Sequence, residues 1–506
     1  MTYNEILKDQ KKILNHEGAE AYKMSPEMEL YILVCSMAMQ PKFYETPQQQ
    51  VDRLAFLLRN VDAEYAARLA IYARREMGLR SVPLLIVVEL ARLHSGNSLV
   101  SRLIDKVVMR ADEIMELLMC YQWRNPQEGM KKLGHLSNQI RIGLQRAFNR
   151  FDEYQFAKYD NRQLNVKLRD ALFIAHPKPK DEAQQELFNK IVNDELQIPY
   201  TWETELSMLG QQKHETPESR QMAFRQKWEE LINSGKLGYM ALLRNLRNIL
   251  NAEVGEDVIQ HVADRISDVH EVRKARQFPF RYLSAYKELR DVPSVNVPLI
   301  LNALEEAAEA SSQHVQGFQA SDRVMLACDM SGSMRCALSR NGSVQYYEVG
   351  NMLAMLLQHR LPKVISGIFA DEWKVVNLPQ KGILNNTDSI SKRIGEVGYG
   401  TYGGKPIEWL IDEKVVMDKV MIFTDCQFWG ETDFGRYFTD LWDKYNKISP
   451  DARLYIFNLA GYAFTPIEIP RKDVTLIAGW SDRIFDMLAS IDKGQTLVEE
   501  IMRIEM

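Results

Sequence analysis

Cysteine is scarce in this chain. There are five in 506 residues, Cys35, Cys120, Cys328, Cys336 and Cys426, and none stand at the spacing of a paired metal knuckle. Free, buried thiols are therefore expected, with neither disulfides nor zinc. Long apolar runs are also missing. None reaches the roughly 18 residues that suggest a membrane span, and the opening MTYNEILKDQKK is polar and charged where a secretory leader would be apolar. A cytoplasmic protein with no membrane partner is the expectation. Charge of one sign is not in large excess either. Lys and Arg number 63 against 68 Asp and Glu, a net charge of -5 that averages over unlike halves and by itself says nothing about nucleic acid.

Catalytic groups are thin as well. No G-x-x-x-x-G-K-[ST] loop occurs, so nucleotide hydrolysis lacks its usual phosphate cradle. Asp329 ends an apolar stretch as a phosphoryl-accepting aspartate does in some phosphatases, but Ser331 stands two residues on where such sites carry a second carboxylate. Cys328 has no histidine near it in sequence and reads as core. The expectation is a protein that is not an enzyme.

What is present begins with residues 324–334, VMLACDMSGSM. Val324 to Cys328 suit a buried parallel strand, which stops at Asp329 and two serines in the pattern Asp-x-Ser-x-Ser. One carboxylate and two hydroxyls on a tight loop are hard oxygen donors of the kind Mg2+ takes, with room left for water and for a ligand's oxygen. The competing reading is that Asp329 or Ser331 caps the following helix. Two distant stretches bear on the choice. KVMIFTD, residues 419–425, is a second apolar strand ending in an aspartate, and GYGTYGGKP, residues 398–406, is a glycine-rich loop that carries Thr401 ahead of a helical stretch. The set resembles the metal-ion-dependent adhesion site of von Willebrand factor A domains, matched by Asp329, Ser331, Ser333, Thr401 and Asp425. That resemblance implies a divalent cation, expected to be Mg2+, and a protein ligand whose acidic oxygen completes its coordination. Tyr402 follows Thr401 where Ro-type relatives often carry an acidic residue.

At 506 residues the chain should divide into more than one domain. Its first portion reads as helix after helix: apolar-periodic stretches at 28–39, 51–58, 63–77, about 82–94, 98–109 and 111–121, the fourth opened by Ser81 as a cap with Pro83 in its first turn. Helices of this length with short polar breaks suit stacked pairs of the HEAT or armadillo type, although no residue signature repeats. Between 131 and 180 the character changes. Eleven basic residues, among them Lys131, Lys132, Arg141, Arg146, Lys158 and Arg162, face four acidic ones. A second cluster, Arg273, Lys274, Arg276, Arg281, Lys287 and Arg290, is interleaved with Phe278, Phe280, Tyr282 and Tyr286. Phosphate backbones bind such charges and single-stranded bases stack on such rings. The alternative is a solvated charged face.

Three strings in this portion carry a resemblance. AARLAIYARREMGLRSVPLLIVVEL (66–90), AKYDNRQLNVKLRDALFIAHPKP (157–179) and GYMALLRNLRNIL (238–250) are similar to the TROVE module of the Ro autoantigen family, which also occurs in telomerase and vault components. A TROVE module followed by an A-type domain is the Ro layout, and the style is that of bacterial members. The resemblance implies a ring of helical repeats whose outer face holds a structured Y RNA and whose central hole accepts single-stranded ends of misfolded RNA, as a monomer, with an exoribonuclease as a possible associate in bacterial relatives. Family positions implicated in Y RNA contact fall on Lys158, Arg162 and His176, without the eukaryotic spacing. His176 also reads as a structural residue at a helix end. Arg244 and Arg247 lie three apart on one helical face, where they present together to RNA or pair with neighbouring helices. Arg276 and Arg281 are the candidates for the ring interior.

Residues 291–320 read as a connection containing one more helix, at 299–310. Beyond it strands and helices alternate, with strands at 324–328, 363–369, 419–425, 453–459 and 474–478, an edge candidate at 375–377, and helices at 348–360, 387–396, 434–445 and from about 483 and 496. Alternation of this kind implies a mostly parallel, doubly wound sheet. The expected layout is an all-α HEAT-like TROVE ring at 1–290, a connector at 291–320 and a von Willebrand factor A-like domain at 321–506. The expected function is binding of small noncoding and misfolded RNA in RNA quality control or as a degradation adaptor. The alternative is a metal-dependent protein-adhesion adaptor whose helical domain binds protein.

Overall fold

The computed structural model describes residues 12–126, 136–160, 164–313, 317–340, 342–429, 437–481, 484, 485, 488 and 496–506. It is helical in its first part and a mixed α/β sheet domain in its second, and it divides into two compact units. One comprises Asp52–His214 with Thr496–Met506, the other Met1–Val51 with Glu215–Gln495. Among the described residues no helix is long and apolar enough to cross a membrane.

In the first unit the helices Ala63–Arg75, Ser81–Leu93, Leu99–Val107, Asp112–Arg124 and Asn138–Phe148 pack on one another. Asp62 caps the first of them, accepting hydrogen bonds from the amides of Glu64 and Tyr65 at 2.9 and 3.0 Å. Ser81 is the first helical residue rather than the cap, because Arg80 precedes it and its hydroxyl is drawn away to Glu116. Buried carboxylates tie neighbouring helices together. Glu113 is fully buried. One of its oxygens accepts from Arg74 at 2.6 Å and Arg80 at 3.3 Å, the other from the backbone amides of Met109 and Arg110. Glu89, likewise buried, holds Arg92 and Arg124. The carboxy-terminal helix Leu497–Met502, capped by Thr496, returns to pack on Ala63–Arg75. It therefore belongs with the helical unit, although strand–helix alternation alone assigns it to the α/β domain.

Among the described residues the second unit is built on nine strands: β1 Lys12–Leu14, β2 Glu20–Lys23, β3 Val324–Asp329, β4 Val364–Phe369, β5 Trp373–Val375, β6 Lys419–Thr424, β7 Arg453–Asn458, β8 Phe464–Thr465 and β9 Val474–Ala478. Six of them form a sheet in the order β5-β4-β3-β6-β7-β9, parallel except for β5, which pairs antiparallel with β4. Every residue of β3 is buried, as a strand covered on both faces requires. Because β3 lies between β4 and β6, its carboxyl end opens where the connections diverge, the usual ligand position of such sheets. The expected edge strand sits at 373–375 and the expected helix at 387–396 is Ile383–Ser391. Part of the predicted helices at 434–445 and near 483 lies outside the described residues.

The amino-terminal strands join this unit. β1, β2 and β8 make a small antiparallel sheet, and the helix Pro26–Ser36 packs on β9, with Tyr31 donating to the carbonyl of Ala478 at 3.3 Å. Helical periodicity carries no sign of this, since β1 and β2 are only 3 and 4 residues long and depend on their partners. The helix Val297–Ser312 packs on Glu256–Ser267 and Pro279–Leu289 and also on Tyr346–Arg360 and Ile383–Ser391. Glu305 on it accepts from the amides of Leu384 and Asn385, closing the open amino end of Ile383–Ser391.

Glu113→Ala removes the carboxylate partner of Arg74 and the acceptor of two backbone amides, while Arg80 keeps Asp112 and Glu116. It should cost about 3–5 kcal/mol, read as a lowered midpoint in urea unfolding followed by circular dichroism. A loss below about 1 kcal/mol would contradict the stapling role.

Candidate functional site

At the carboxyl end of the parallel sheet, Asp329 ends β3 and Asp425 follows β6, each 1 % exposed. Asp329 Oδ1 accepts from the amide of Ser331 at 2.9 Å and its Oδ2 from the hydroxyl of Thr424 at 2.5 Å. The hydroxyls of Ser331 and Ser333 lie 3.4 Å apart. Asp425 Oδ1 accepts from the amide of Gln427 at 3.0 Å, and the nearby Ser333 side chain favours the charged form of that carboxyl. Asp425 Oδ2 is buried with no hydrogen-bond partner. Burial raises the pKa of both carboxyls above the ordinary carboxylate range, and the charge of Asp425 pushes Asp329 further in that direction.

The glycine-rich loop brings Thr401, 3 % exposed, into this neighbourhood through backbone stitches. The amide of Gly332 donates to the carbonyl of Tyr399 at 3.0 Å, that of Trp429 to Thr401 at 2.8 Å and that of Tyr402 to Ala370 at 2.9 Å. The loop that follows β3, the end of β4 and the loop that follows β6 are thus all tied to residues 399–402. Asp371 anchors the loop as well, accepting from the amides of Tyr399 at 3.1 Å and Gly400 at 2.9 Å. Two glycines are required by this contact. A Cβ at Gly398, where φ is +88°, would lie 1.7 Å from Asp371 Oδ2, and one at Gly400 2.2 Å from Oδ1. Tyr402 packs edge-on against Trp429 at 5.7 Å.

Among the described residues no group of three or more His, Cys, Asp and Glu is placed to hold a metal. This loop offers two carboxylates and hydroxyls instead. An orphaned buried carboxylate oxygen, a like-charged partner and nearby hydroxyls form an all-oxygen donor set that fits a hard divalent cation. Cys328 and Cys426, next to the two aspartates, are free, buried and held neutral by desolvation, in keeping with core thiols.

The basic candidates fall in both units. In the helical unit, Lys158 is exposed on Glu153–Tyr159, its ammonium 5.7 Å from the rings of both Tyr154 and Tyr159. Arg110 stacks over Tyr159 at 4.3 Å. His176 is exposed and takes a left-handed backbone at the end of Leu168–Ala175. Arg141 is exposed and donates to Asn138 at 2.7 Å. Arg146 is engaged with Asp105 and Ser101, an interhelix contact. In the α/β unit, Arg244 and Arg247 are exposed on Tyr239–Asn251, and Arg247 pairs with Glu288 at 3.1 Å. Arg281 is half-buried near the ring of Phe280, on the same cavity as Arg244 and Arg247. Arg276 is exposed in a left-handed backbone conformation. Lys131, Lys132 and Arg162 lie outside the described residues. Sequence reasoning missed Asp371 and Thr424. Asp371 had a signal, as an acid just past a strand end beside a predicted loop.

Two family models match, the TROVE domain over residues 194–297 and the Ro60 vWA domain over residues 323–489. The chain is Ro-like, a TROVE match followed by a Ro60 vWA match. Of the three TROVE-like strings, 238–250 falls inside the matched range. Similar curated proteins include telomerase protein component 1 of Rattus norvegicus, 25 % identical over 54 % of this chain and 13 % of that protein. Another is RNA-binding protein RO60 of Deinococcus radiodurans, 23 % identical over 51 % of this chain and 50 % of that protein. The chain thus spans half or less of these relatives' lengths. The crystal structure of the Deinococcus radiodurans RO (RSR) protein shares the fold, with a TM-score of 0.58 and 20 % identity over 92 % of this Ro-type chain and all of that one.

The contact between Gly398 and Asp371 makes a prediction about their coupling. Gly398→Ala alone should destabilise the domain by about 1–3 kcal/mol from backbone strain and by more from the clash. Made on Asp371→Ala, it should cost measurably less, because the blocking carboxylate is gone. Equal costs in the two backgrounds of a double-mutant cycle would show that the contact does not govern the loop.

Proposed function

We propose that this Ro-type chain is an RNA-binding protein without catalytic activity, cytoplasmic and monomeric. In this reading it holds small structured noncoding RNA, of the Y RNA kind, and the single-stranded ends of misfolded RNA, in RNA quality control or as an adaptor to an exoribonuclease. The observation that carries the reading is the exposed ammonium of Lys158 set between two tyrosine rings, with Arg110 over one of them. A cation beside partly exposed aromatic faces presents both parts of an RNA contact, charge for the phosphate and a face for a base. Lys158, Arg162 and His176 are proposed as its centre, with Arg141, Lys131 and Lys132 adding charge. Arg146 contributes less, since Asp105 already neutralises it. Arg244, Arg247, Arg276 and Arg281 serve single-stranded RNA.

The metal loop supports a second task, docking a protein ligand. Asp329, Ser331, Ser333, Thr401 and Asp425 would hold the divalent cation, Mg2+ in this proposal, and the cation when bound supplies a Lewis-acidic position for a partner's carboxylate. Asp329 and Asp425 would balance its charge, Thr424 and Gln427 orient them, and Asp371 holds the loop bearing Thr401. A purely adhesive protein, whose helical charges are merely solvated, is the alternative.

Two experiments test these assignments. Binding of a structured small RNA should weaken steeply with salt, and replacing Lys158, Arg162 and His176 together by alanine should lower the affinity about tenfold or more and reduce the salt slope by roughly one per lost phosphate contact. An unchanged affinity, or no RNA shifted at low salt, would favour the adhesive alternative. Mg2+ should raise the melting temperature of the wild type, as a ligand of the folded state does. Asp329→Ala should abolish that shift and leave RNA affinity nearly intact, whereas a large RNA defect in the folded variant would contradict the division of labour.

A further inference from the structure

The helices Tyr239–Asn251 and Pro279–Leu289, together with Leu338, Ser339, Gly342 and Val344, line a cavity of about 380 Å3 within the α/β unit. Three arginines face it, Arg244, Arg247 and Arg281, and Glu288 is the acidic residue of the lining. That carboxylate is committed to Arg247 at 3.1 Å. Among the described residues, Arg244 and Arg281 have no carboxylate partner, and Arg281 feels the charge of Arg244. Arg281 bears this repulsion while substantially buried, near the ring of Phe280 at 5.7 Å, and burial is the chief cause that weakens its hold on its proton. Two like charges facing one cavity without a counter-charge is an arrangement that an anion relieves. Nearby contacts keep the cavity wall in place. Lys287, on the same helix as Arg281, donates to the carbonyl of Ser343 at 3.0 Å and to Glu348 at 2.6 Å, and Arg290 pairs with Asp388.

We propose that this cavity binds one nucleoside monophosphate unit, its phosphate monoester held by Arg244 and Arg281. The unit is either the phosphorylated end of a single strand of RNA or a free nucleotide. For the strand end the inference rests on the RNA-binding reading above, and it adds that the chain distinguishes ends by their chemistry. A phosphate monoester carries about -1.5 to -2 charges near neutral pH, against one for each internal diester, and guanidinium forks match its oxygens in pairs. The volume lies near the lower end of the roughly 300–1,000 Å3 of small-molecule sites, a size for one nucleotide rather than a run of them. Phe280 supplies an aromatic wall for the base and Ser339 a hydroxyl.

The test uses the full chain and two kinds of probe. Short single-stranded oligonucleotides ending in 5′-phosphate, 3′-phosphate or hydroxyl groups are compared by fluorescence polarisation. Adenosine 5′-monophosphate and adenosine are compared by calorimetry. For a strand-end site, one phosphorylated oligonucleotide should bind about tenfold tighter than the hydroxyl-ended one, and Arg244→Met with Arg281→Met should erase that preference. A free-nucleotide site gives no preference among oligonucleotides but a binding heat for the monophosphate that the same variant loses. Arg244 is exposed, so Arg244→Met alone supplies a folded variant if the double one unfolds, and it should lose most of either effect. Indifference to phosphate with both kinds of probe, or a phosphate preference that survives the arginine changes, overturns the proposal. Nucleotide binding with no RNA binding of any kind removes the RNA reading and leaves the cavity assigned to a nucleotide.

Discussion

The constraint on which the α/β unit depends is the burial of two carboxylates at neighbouring strand ends. Asp329 and Asp425 sit at the carboxyl ends of the adjacent parallel strands β3 and β6, out of contact with solvent, and each raises the cost of ionising its neighbourhood. Such a pair is tolerated only with compensation. Part of it is visible: the Ser331 and Gln427 amides and the Thr424 hydroxyl each donate to one of the two carboxyls. The remainder is missing, because Asp425 Oδ2 is buried without a donor. A cation would supply it, and the cost of the apo state is then the source of the site's affinity for one. Backbone hydrogen bonds stitch residues 399–402 onto three neighbouring stretches, which would hold the Thr401 hydroxyl in place for the proposed cation. Hydroxyl ligands contribute little unless they are held in place.

Opposite charge is used differently in the helical unit. Glu113 and Glu89 are buried and gather arginines from other helices, so much of the basic content there is structural. This sorting decides what the positive residues can do. An arginine spent on a buried carboxylate, as Arg74 is, offers little to an external phosphate, while an exposed lysine such as Lys158, beside aromatic rings and with no carboxylate partner among the described residues, keeps its charge available. The formal net charge of -5 therefore has little bearing on partner choice. What matters is which cations are left unmatched and where.

Legibility in the sequence followed the range of the interactions involved. Asp329 and Asp425 were readable as strand-end aspartates because each closes an apolar strand, a pattern local enough to be seen over a few residues, and the strand order then brings β3 and β6 side by side. The parallel sheet was readable from alternation for the same reason. The amino-terminal strands were not, since β1 and β2 are stabilised by pairing with each other and with β8, more than 400 residues away, and carry no periodicity of their own. Asp371 escaped notice because its role lies in two backbone amides of another loop. Basic clusters were legible as composition but not as function. Arg146 and Arg247 look alike in sequence to Arg141 and Arg244, and only their carboxylate partners at distance separate them.

That distinction gives the arginine pair in the cavity its weight. A guanidinium placed on a surface is normally matched by a nearby acid or left fully in water, and either solution is cheap. Arg281 has neither, being substantially buried beside another cation while Glu288, the acid within the same lining, is engaged by Arg247. Keeping two such groups on one cavity opposes folding, so a compensating role is needed, and the packing of Arg281 near Phe280 accounts for only part of it. An anionic ligand that enters after folding would recover the rest. Its monoester charge would be matched by the two arginines and its base by the aromatic wall. On this view the buried carboxylates of the metal loop and the unmatched arginines of the cavity are the same device with opposite sign, each a folded-state charge imbalance that a ligand of the complementary charge relieves.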